Sequence, residues 1–301
     1  MYRHFSAAVV GSINMDLILR MDRVPETGEN VLGSSYGYAN GGKGANQAVG
    51  LARLGAKTKM IGKVCADENG RTLLAHLLAE GVDVSGVSTD GSQTGLAAIL
   101  LDGAGKNRIV VFECANAEID PEAAARCLLP PPDLLLVQFE TREDVVVSCV
   151  NEAVKNGVTT VIDCGPAKNF ALEKMPGADI LSPNESETLA LTGIYPSDDG
   201  AVRKACEILS ARSKARYVVL KLGARGCAVW DGRRLQFLPA YETKVVDTTA
   251  AGDCFTAAMA LEYKRTGDII AACDMGNRAG SIAVSRLGAA DSMPTAEELY
   301  K

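Results

Sequence analysis

Short apolar runs recur along the chain, and most are followed by a segment whose apolar residues return every three or four positions. Residues 7–13 read as a strand, and 44–54 as a helix that Gly55 stops. Strand 59–64 leads to helix 69–79, closed by Gly81. Further along, strand 134–139, helix 143–155 with Gly157 as its stop, and strand 160–164 repeat the order. Strand 180–182 is followed by helices 185–191 and 201–210, then strand 217–221, a hairpin-rich segment, and closing helices 252–265 and 268–286. Strands buried on both faces read as nearly continuous apolar runs, and helices between them act as crossovers. The pattern predicts a largely parallel sheet with helices on both faces.

Two stretches break this rhythm. Residues 15–40 and 95–116 read as antiparallel strands, with apolar runs at 94–100 and 108–112 and a turn at Asp102-Gly103. They form a small sheet projecting from the main body, either a lid over a ligand or a subunit surface. No repeat or linker divides the chain, so residues 1–301 are expected to be one domain carrying these lid strands. Pro130-Pro131-Pro132 is a rigid lead into a strand.

Composition narrows the chemistry. The 301 residues are 47% hydrophobic and 23% charged, with a net charge of −6. No basic stretch tracks a phosphate backbone, so no nucleic-acid partner is expected. No apolar run is long enough for a bilayer, and the first five residues lack a signal pattern, so no membrane association is expected. The expectation is a cytoplasmic protein, with a nuclear location as the alternative. Nine cysteines, none in a Cys-x-x-Cys pair, point to reduced thiols that pack as small hydrophobes. The two histidines are His4, in the N-terminal tail, and His76, inside a helix. A Ser-His-Asp hydrolase or a histidine-rich metal centre needs more. Carboxylates, amides, backbone and lysine must carry the chemistry.

The most informative segment is Asp247-Thr248-Thr249-Ala250-Ala251-Gly252-Asp253, expected to follow an apolar strand-like stretch and run into a helix. A small turn opening a helix leaves N–H groups unpaired, which together with the helix dipole favour a phosphate. Asp253 in the first turn adds a carboxylate able to take a hydroxyl proton, and that combination suits phosphoryl transfer. An ordinary helix-start acid is the plain alternative. In Asn40-Gly41-Gly42-Lys43-Gly44-Ala45-Asn46-Gln47-Ala48, glycines let backbone approach a ligand while Lys43 and Asn46 offer hydrogen bonds to a polyhydroxylated molecule. The spacing fits neither a P-loop nor a dinucleotide fingerprint. Asn14 and Asp16, two apart at the end of the first strand, share a face and can meet one ligand. Glu140 falls beyond another strand end, where ligands bind in open α/β sheets.

These motifs, with Pro183-Asn184-Glu185-Ser186-Glu187 and Leu222-Gly223-Ala224-Arg225-Gly226, stand in the order and spacing of the ribokinase/PfkB carbohydrate kinase family, which the chain resembles from about residue 8 to 292. The resemblance implies a ribokinase-like three-layer αβα sandwich with a mostly parallel central sheet and a small antiparallel β lid. It implies ATP-dependent phosphorylation of D-ribose at O5, with a deoxyribose, other sugar or nucleoside kinase as alternatives. A sugar- or nucleotide-binding regulator without turnover is the alternative of another class.

By the resemblance Asp253 is the base, and the N–H groups of Ala250, Ala251 and Gly252 form an anion hole. A helix start favours the ionised carboxylate and makes a weak base, which a loose transition state tolerates. Asn14, Asp16, Gly42, Lys43, Asn46, Glu140 and Asp253 match sugar-binding positions. Asn184 and Glu187 match the magnesium–phosphate end, Lys221, Gly223, Ala224, Gly226 and Gly252 the nucleotide loop and phosphate turn, and Asn277 an adenine contact. Asp247, Thr249, Ala283, Arg286, Gly288 and Ser292 match a potassium site, mostly through carbonyl oxygens. Asp291 departs from the pattern and alters the charge near that site. Cys254 replaces the usual threonine, which implies sensitivity to thiol reagents. The family likeness and the lid imply a homodimer.

Overall fold

The computed structural model describes residues 5–166, 168 and 170–301, so His4 lies outside the described residues. In chain order the elements are β1 (Ser6–Val10), β2 (Asn14–Met21), β3 (Gly33–Gly41), α1 (Lys43–Arg53), β4 (Lys57–Lys63), α2 (Glu68–Ala79), β5 (Asp83–Ser88), β6 (Gly95–Leu101) and β7 (Asn107–Phe112). There follow α3 (Pro121–Arg126), β8 (Leu134–Gln138), α4 (Glu143–Lys155), β9 (Thr159–Asp163), β10 (Ile180–Ser182), α5 (Glu185–Thr192) and α6 (Asp199–Ser213). The chain closes with β11 (Tyr217–Lys221), β12 (Cys227–Trp230), β13 (Leu235–Leu238), α7 (Ala251–Thr266), α8 (Ile269–Val284) and α9 (Ala296–Leu299).

The large sheet has nine strands in the order β13-β12-β11-β10-β9-β8-β1-β4-β5. It is parallel from β11 to β5 and ends in the antiparallel hairpin β12–β13. Alternation sorts its side chains into two cores. Val9, Leu134 and Leu136 join one with α1 and α7, whereas Val10, Leu135 and Val137 join another with α4 and α6. Two separate buried clusters, one on each face of the same strands, make the three-layer αβα sandwich.

The chain leaves β1, builds β4 and β5 on one side, and returns to build β8 on the other. A crevice opens at such a switch point, beyond the carboxyl ends of the strands. Gly11 after β1, Glu140 after β8, Asp163 at the end of β9, Asn184 after β10 and Lys221 at the end of β11 all fall there.

The small sheet runs β3-β2-β6-β7. Both of its hairpins are antiparallel, as expected, but they meet through the parallel pair β2–β6, with Asn14 opposite Gly95 and Asp16 opposite Ala97. Apolar alternation looks alike in the two orientations, so the motif pattern could not separate them. The first strand also ends sooner than the apolar run, at Val10, and Asn14 and Asp16 belong to β2 of the lid. The stretch before Asp247, expected to be strand-like, is irregular coil over residues 239–246, with Val245 and Val246 exposed.

Candidate active site

Close backbone contact builds the first wall. Gly42 precedes α1 at φ 91°, and a Cβ there would stand 2.7 Å from Asn14 N and 2.8 Å from Ser12 O. Only glycine tolerates both demands. At the same end of the helix, a Cβ on Gly44 would meet Gly11 C at 2.7 Å, so α1 starts directly against the end of β1. Glu140 caps this start: its Oε2 accepts the Lys43 N–H at 3.0 Å and the Ser12 hydroxyl. Its carboxylate meets the positive end of the helix dipole. Glu140 therefore shapes the Gly-rich turn as well as facing the site.

The lid contributes Asn14 and Asp16, both buried. Asn116 fixes the first, donating from Nδ2 to Asn14 Oδ1 at 2.7 Å and accepting the Ile13 N–H at 2.9 Å. Gly95 leaves room for this pair, since a Cβ there would lie 2.2 Å from Asn116 Nδ2. Burial, with Glu140 and Asp253 nearby, pushes the Asp16 carboxyl up to about 7.

The second wall is the start of α7. Ala250 is its N-cap at φ 57°, an unusual conformation for a residue with a Cβ, and Asp253 is the third helical residue. Lys43 Nζ and Gln47 Nε2 donate to Asp253 Oδ1 at 3.3 and 3.1 Å, and Asn46 Nδ2 donates to Oδ2 at 3.1 Å. Asn46 Oδ1 is buried and has no hydrogen-bond partner among the described residues, an acceptor left over beside this carboxylate. Of the three N–H groups expected to face an anion, that of Ala251 is turned onto Thr248 O at 3.3 Å. The turn closes on itself there, so Ala250 and Gly252 are better placed for that task.

Behind both walls lies Asp163, completely buried. Lys221 Nζ donates to it at 2.8 Å, Thr256 Oγ1 at 2.9 Å and Gln47 Nε2 at 3.2 Å, and Lys43 Nζ lies 3.8 Å away. Burial alone would raise its carboxyl, but Lys221 and Lys43 override this and hold it well below the usual carboxylate range. The lysines respond in kind. Burial opposes the charge on each, yet Asp163, with Asp253, Glu187 and Glu140 around Lys43 and Glu187 beside Lys221, holds both above the usual lysine range.

Asn184 and Glu187 form a reciprocal cap on α5. Asn184 N and Nδ2 donate to Glu187 at 2.7 and 2.8 Å, and Glu187 N donates to Asn184 Oδ1 at 2.9 Å. A cleft of about 720 Å³ opens here, lined among others by Lys43, Asn184, Lys221, Gly223, Ala224, Gly226, Gly252 and Asn277. Its size suits a nucleotide-sized ligand. Asn277 sits in the wall, but its Nδ2 is committed to Pro239 O at 3.1 Å and Leu238 O at 3.4 Å, so it steadies the loop beside the cleft.

The residues expected to hold a monovalent cation also converge. Asp247 Oδ1 accepts from Thr249 N at 2.9 Å and Thr249 Oγ1 at 2.6 Å, and Oδ2 accepts the Gly288 N–H at 3.1 Å. The Ala283 carbonyl receives Arg286 N at 3.1 Å, while the Arg286 side chain turns away to Glu298. Ser292 is buried, with its hydroxyl on Ala289 O. Cys254 corrects one expectation. Its Sγ is buried 3.4 Å from Ala279 O, and burial pushes the thiol up to about 12, so it is not a reactive thiol.

Asp163, Gln47, Thr256 and Asn116 join the crevice without standing among the residues expected there. Asp163 carried a signal, because a carboxylate ending an apolar strand at the ligand edge of a parallel sheet is out of character for a core. Gln47 stood inside the Gly-rich motif beside Asn46.

Residues 5–296 match the model of the pfkB family carbohydrate kinases. The chain belongs to this family. Within it, the chain is 35% identical to the ribokinase of Bacillus subtilis (strain 168), over 97% of each chain. It is 33% identical to that of Haemophilus influenzae, over 96% of this chain and 95% of the other. The solved ribokinase of Thermotoga maritima matches at TM-score 0.86 and 31% identity, covering 98% of both chains. The Arabidopsis thaliana ribokinase, solved with ribose and ATP, matches at TM-score 0.85 and 30% identity, covering 99% of this chain and 98% of the other. The two-walled crevice is thus set within the stretch that matches the pfkB family.

Proposed function

We propose that the protein transfers the γ-phosphoryl group of ATP to O5 of D-ribose, giving ribose 5-phosphate and ADP. The observation that carries this reading is the meeting of Asp253, Lys43 and Asn46 at the start of α7, at the mouth of a nucleotide-sized cleft. Full-length similarity to several ribokinases supports ribose as the acceptor.

In this reading Asn14, Asp16, Gly42, Lys43, Asn46 and Glu140 hold the sugar hydroxyls, with the free Asn46 Oδ1 accepting one of them. The O5 oxygen attacks the γ-phosphorus, its proton passes to Asp253, and the bond to the β,γ-bridging oxygen breaks. Little covalent work falls to the protein, so positioning and charge stabilisation dominate. Lys43, Lys221 and the N–H groups of Ala250 and Gly252 face the charge on the transferring group. Asn184, Glu187, Gly223, Ala224 and Gly226 surround the nucleotide.

A divalent cation such as Mg2+ accompanies ATP in this chemistry, and the oxygens of Asn184 and Glu187 suit a hard cation, which when bound neutralises phosphate charge. No cluster of three or more His, Cys, Asp or Glu side chains fit for a metal occurs among the described residues. Potassium would be held by Asp247 and the carbonyl-rich loops around Gly288 and Ser292. No helix among the described residues is long and apolar enough to cross a membrane, and nine free cysteines suit the reducing cytoplasm.

ADP release should be measured with ribose, deoxyribose, other pentoses, hexoses and nucleosides. The highest kcat/KM with ribose is expected. Equal or better turnover of deoxyribose favours a second reading, for which the 28% identity to the deoxyribokinase of Salmonella typhi speaks. ATP turnover that no sugar or nucleoside stimulates overturns the kinase reading and leaves a binding protein.

A further inference from the structure

Asp163 has no place in the contacts assigned to sugar or nucleotide, yet it is the most heavily engaged carboxylate in the crevice. It ends β9 with no exposed surface. Its Oδ2 accepts from Lys221 Nζ at 2.8 Å, Thr256 Oγ1 at 2.9 Å and Gln47 Nε2 at 3.2 Å, and its Oδ1 from the Gly165 N–H at 3.1 Å. The three side-chain donors sit on β11, α7 and α1, and α7 and α1 also carry Asp253 and Lys43 at the proposed reaction centre. Thr256 lies one turn beyond Asp253, and Gln47 bridges Asp163 to Asp253 directly.

A buried carboxylate costs several kcal/mol to desolvate, about what a good ion pair returns, so such a cluster is weak evidence for added stability. What the cluster does provide is a charge in a fixed place. Lys221 lines the cleft, and a Cβ placed on Gly252 would stand 3.9 Å from its Nζ. Lys43 lines the same cleft, so two ammonium groups share one wall. They repel one another unless an anion stands between them. Asp163 lies 2.8 Å from one and 3.8 Å from the other.

We propose that Asp163 is a positioning residue for phosphoryl transfer, the buried counter-ion that fixes the Lys221 ammonium beside the first turn of α7. It touches neither reactant and acts through Lys221, whose charge meets the transferring group. The proposal rests on the kinase reading above and adds to it a residue outside the sugar and nucleotide contacts.

The test compares the wild type with Asp163→Asn, Lys221→Met and the double variant, measuring kcat, both KM values and melting temperature. Asp163→Asn keeps the side-chain volume. Its kcat is expected to fall by about 10²-fold, the cost of misplacing a catalytic group by about 1 Å, while KM for ribose stays near wild type. The double variant is expected to be no slower than Lys221→Met alone, because Asp163 has nothing left to position. A kcat for folded Asp163→Asn within about threefold of wild type would assign the residue a purely structural role and overturn the proposal. So would a double variant whose loss is the product of the single losses. If Asp163→Asn does not fold, the double variant, which removes both buried charges, is set against Lys221→Met: equal kcat supports the proposal, and a further tenfold loss (about 1.4 kcal/mol) overturns it. A wild type without ribose-stimulated ATP turnover overturns the kinase reading itself, an outcome distinct from all of these.

Discussion

Asp253 is held by three donors from the same helix start, Lys43, Asn46 and Gln47, so its oxygens have one aim. Asp253→Asn keeps the shape and removes the proton acceptor. It should lower kcat by about 10³-fold, within the span of general-base contributions, while ribose still binds. A near-wild-type kcat would remove Asp253 from the role of base. Asp16 gives a second outcome at this scale. Burial, Glu140 and Asp253 raise its carboxyl to about 7, and sugar hydroxyls donate to the ionised form. Affinity for ribose should therefore weaken as pH falls below about 7, approaching tenfold per unit, and Asp16→Asn should flatten that slope. The sign for folding is opposite. The folded state binds the extra proton between the ordinary carboxyl value of 3.8 and about 7, so this group's contribution to stability declines as pH rises across that window. A ribose affinity independent of pH from 6 to 8 in the wild type would reject the account. The spacing to Asn14 marks Asp16 as a candidate ligand residue, but nothing in the spacing signals its raised proton affinity. That depends first on burial and then on Glu140 and Asp253, which are distant in sequence.

At the scale of elements, the long helices and core strands were legible because burial enforces their periods. The sequence boundaries of β10, α4 and β11 coincide with the observed ones. What escaped notice was half-exposed or short. β5 alternates between exposed and partly buried residues with Gly86 inside it, and α3 is a short Pro-started helix. The lid was legible as a separate sheet, whereas its central parallel pairing depends on where β2 lies in space. Both faces of β7 are exposed, and Ile109, Val110 and Phe112 lie open at one edge of the small sheet while Tyr36 and Tyr38 of β3 lie open at the other. An apolar edge strand of this kind invites pairing or aggregation unless it is covered. A second copy of the chain, packed lid to lid, is the proposed cover. Sedimentation should show a dimer, and Phe112→Glu should shift it towards monomer. A wild-type monomer at micromolar concentration would exclude this use of the lid.

Across the whole molecule, the site depends on segments that the fold returns to one edge after long excursions. The loop proposed to hold a monovalent cation is the clearest case. Val246 N and Asp247 N both donate to Val284 O, at 2.7 and 3.2 Å, which ties the approach to α7 to the end of α8. Arg53, at the end of α1, grips the carbonyls of Ala290 at 2.8 Å and Met293 at 3.0 Å, and Glu80 holds the guanidinium from the other side. The loop is thus anchored to two helices on either side of the proposed phosphate turn. Its oxygens, carboxylate and carbonyl, suit a weakly hydrated monovalent cation better than a nitrogen- or sulfur-seeking metal. A cation bound beside the start of α7 would order Ala250 and Gly252 without touching the sugar. Replacing potassium with sodium, at fixed ionic strength and with excess magnesium, should therefore lower kcat severalfold while ribose affinity measured without nucleotide stays the same. If kcat is indifferent to the cation, potassium has no part in catalysis. If ribose affinity falls with kcat, the cation orders the sugar wall instead.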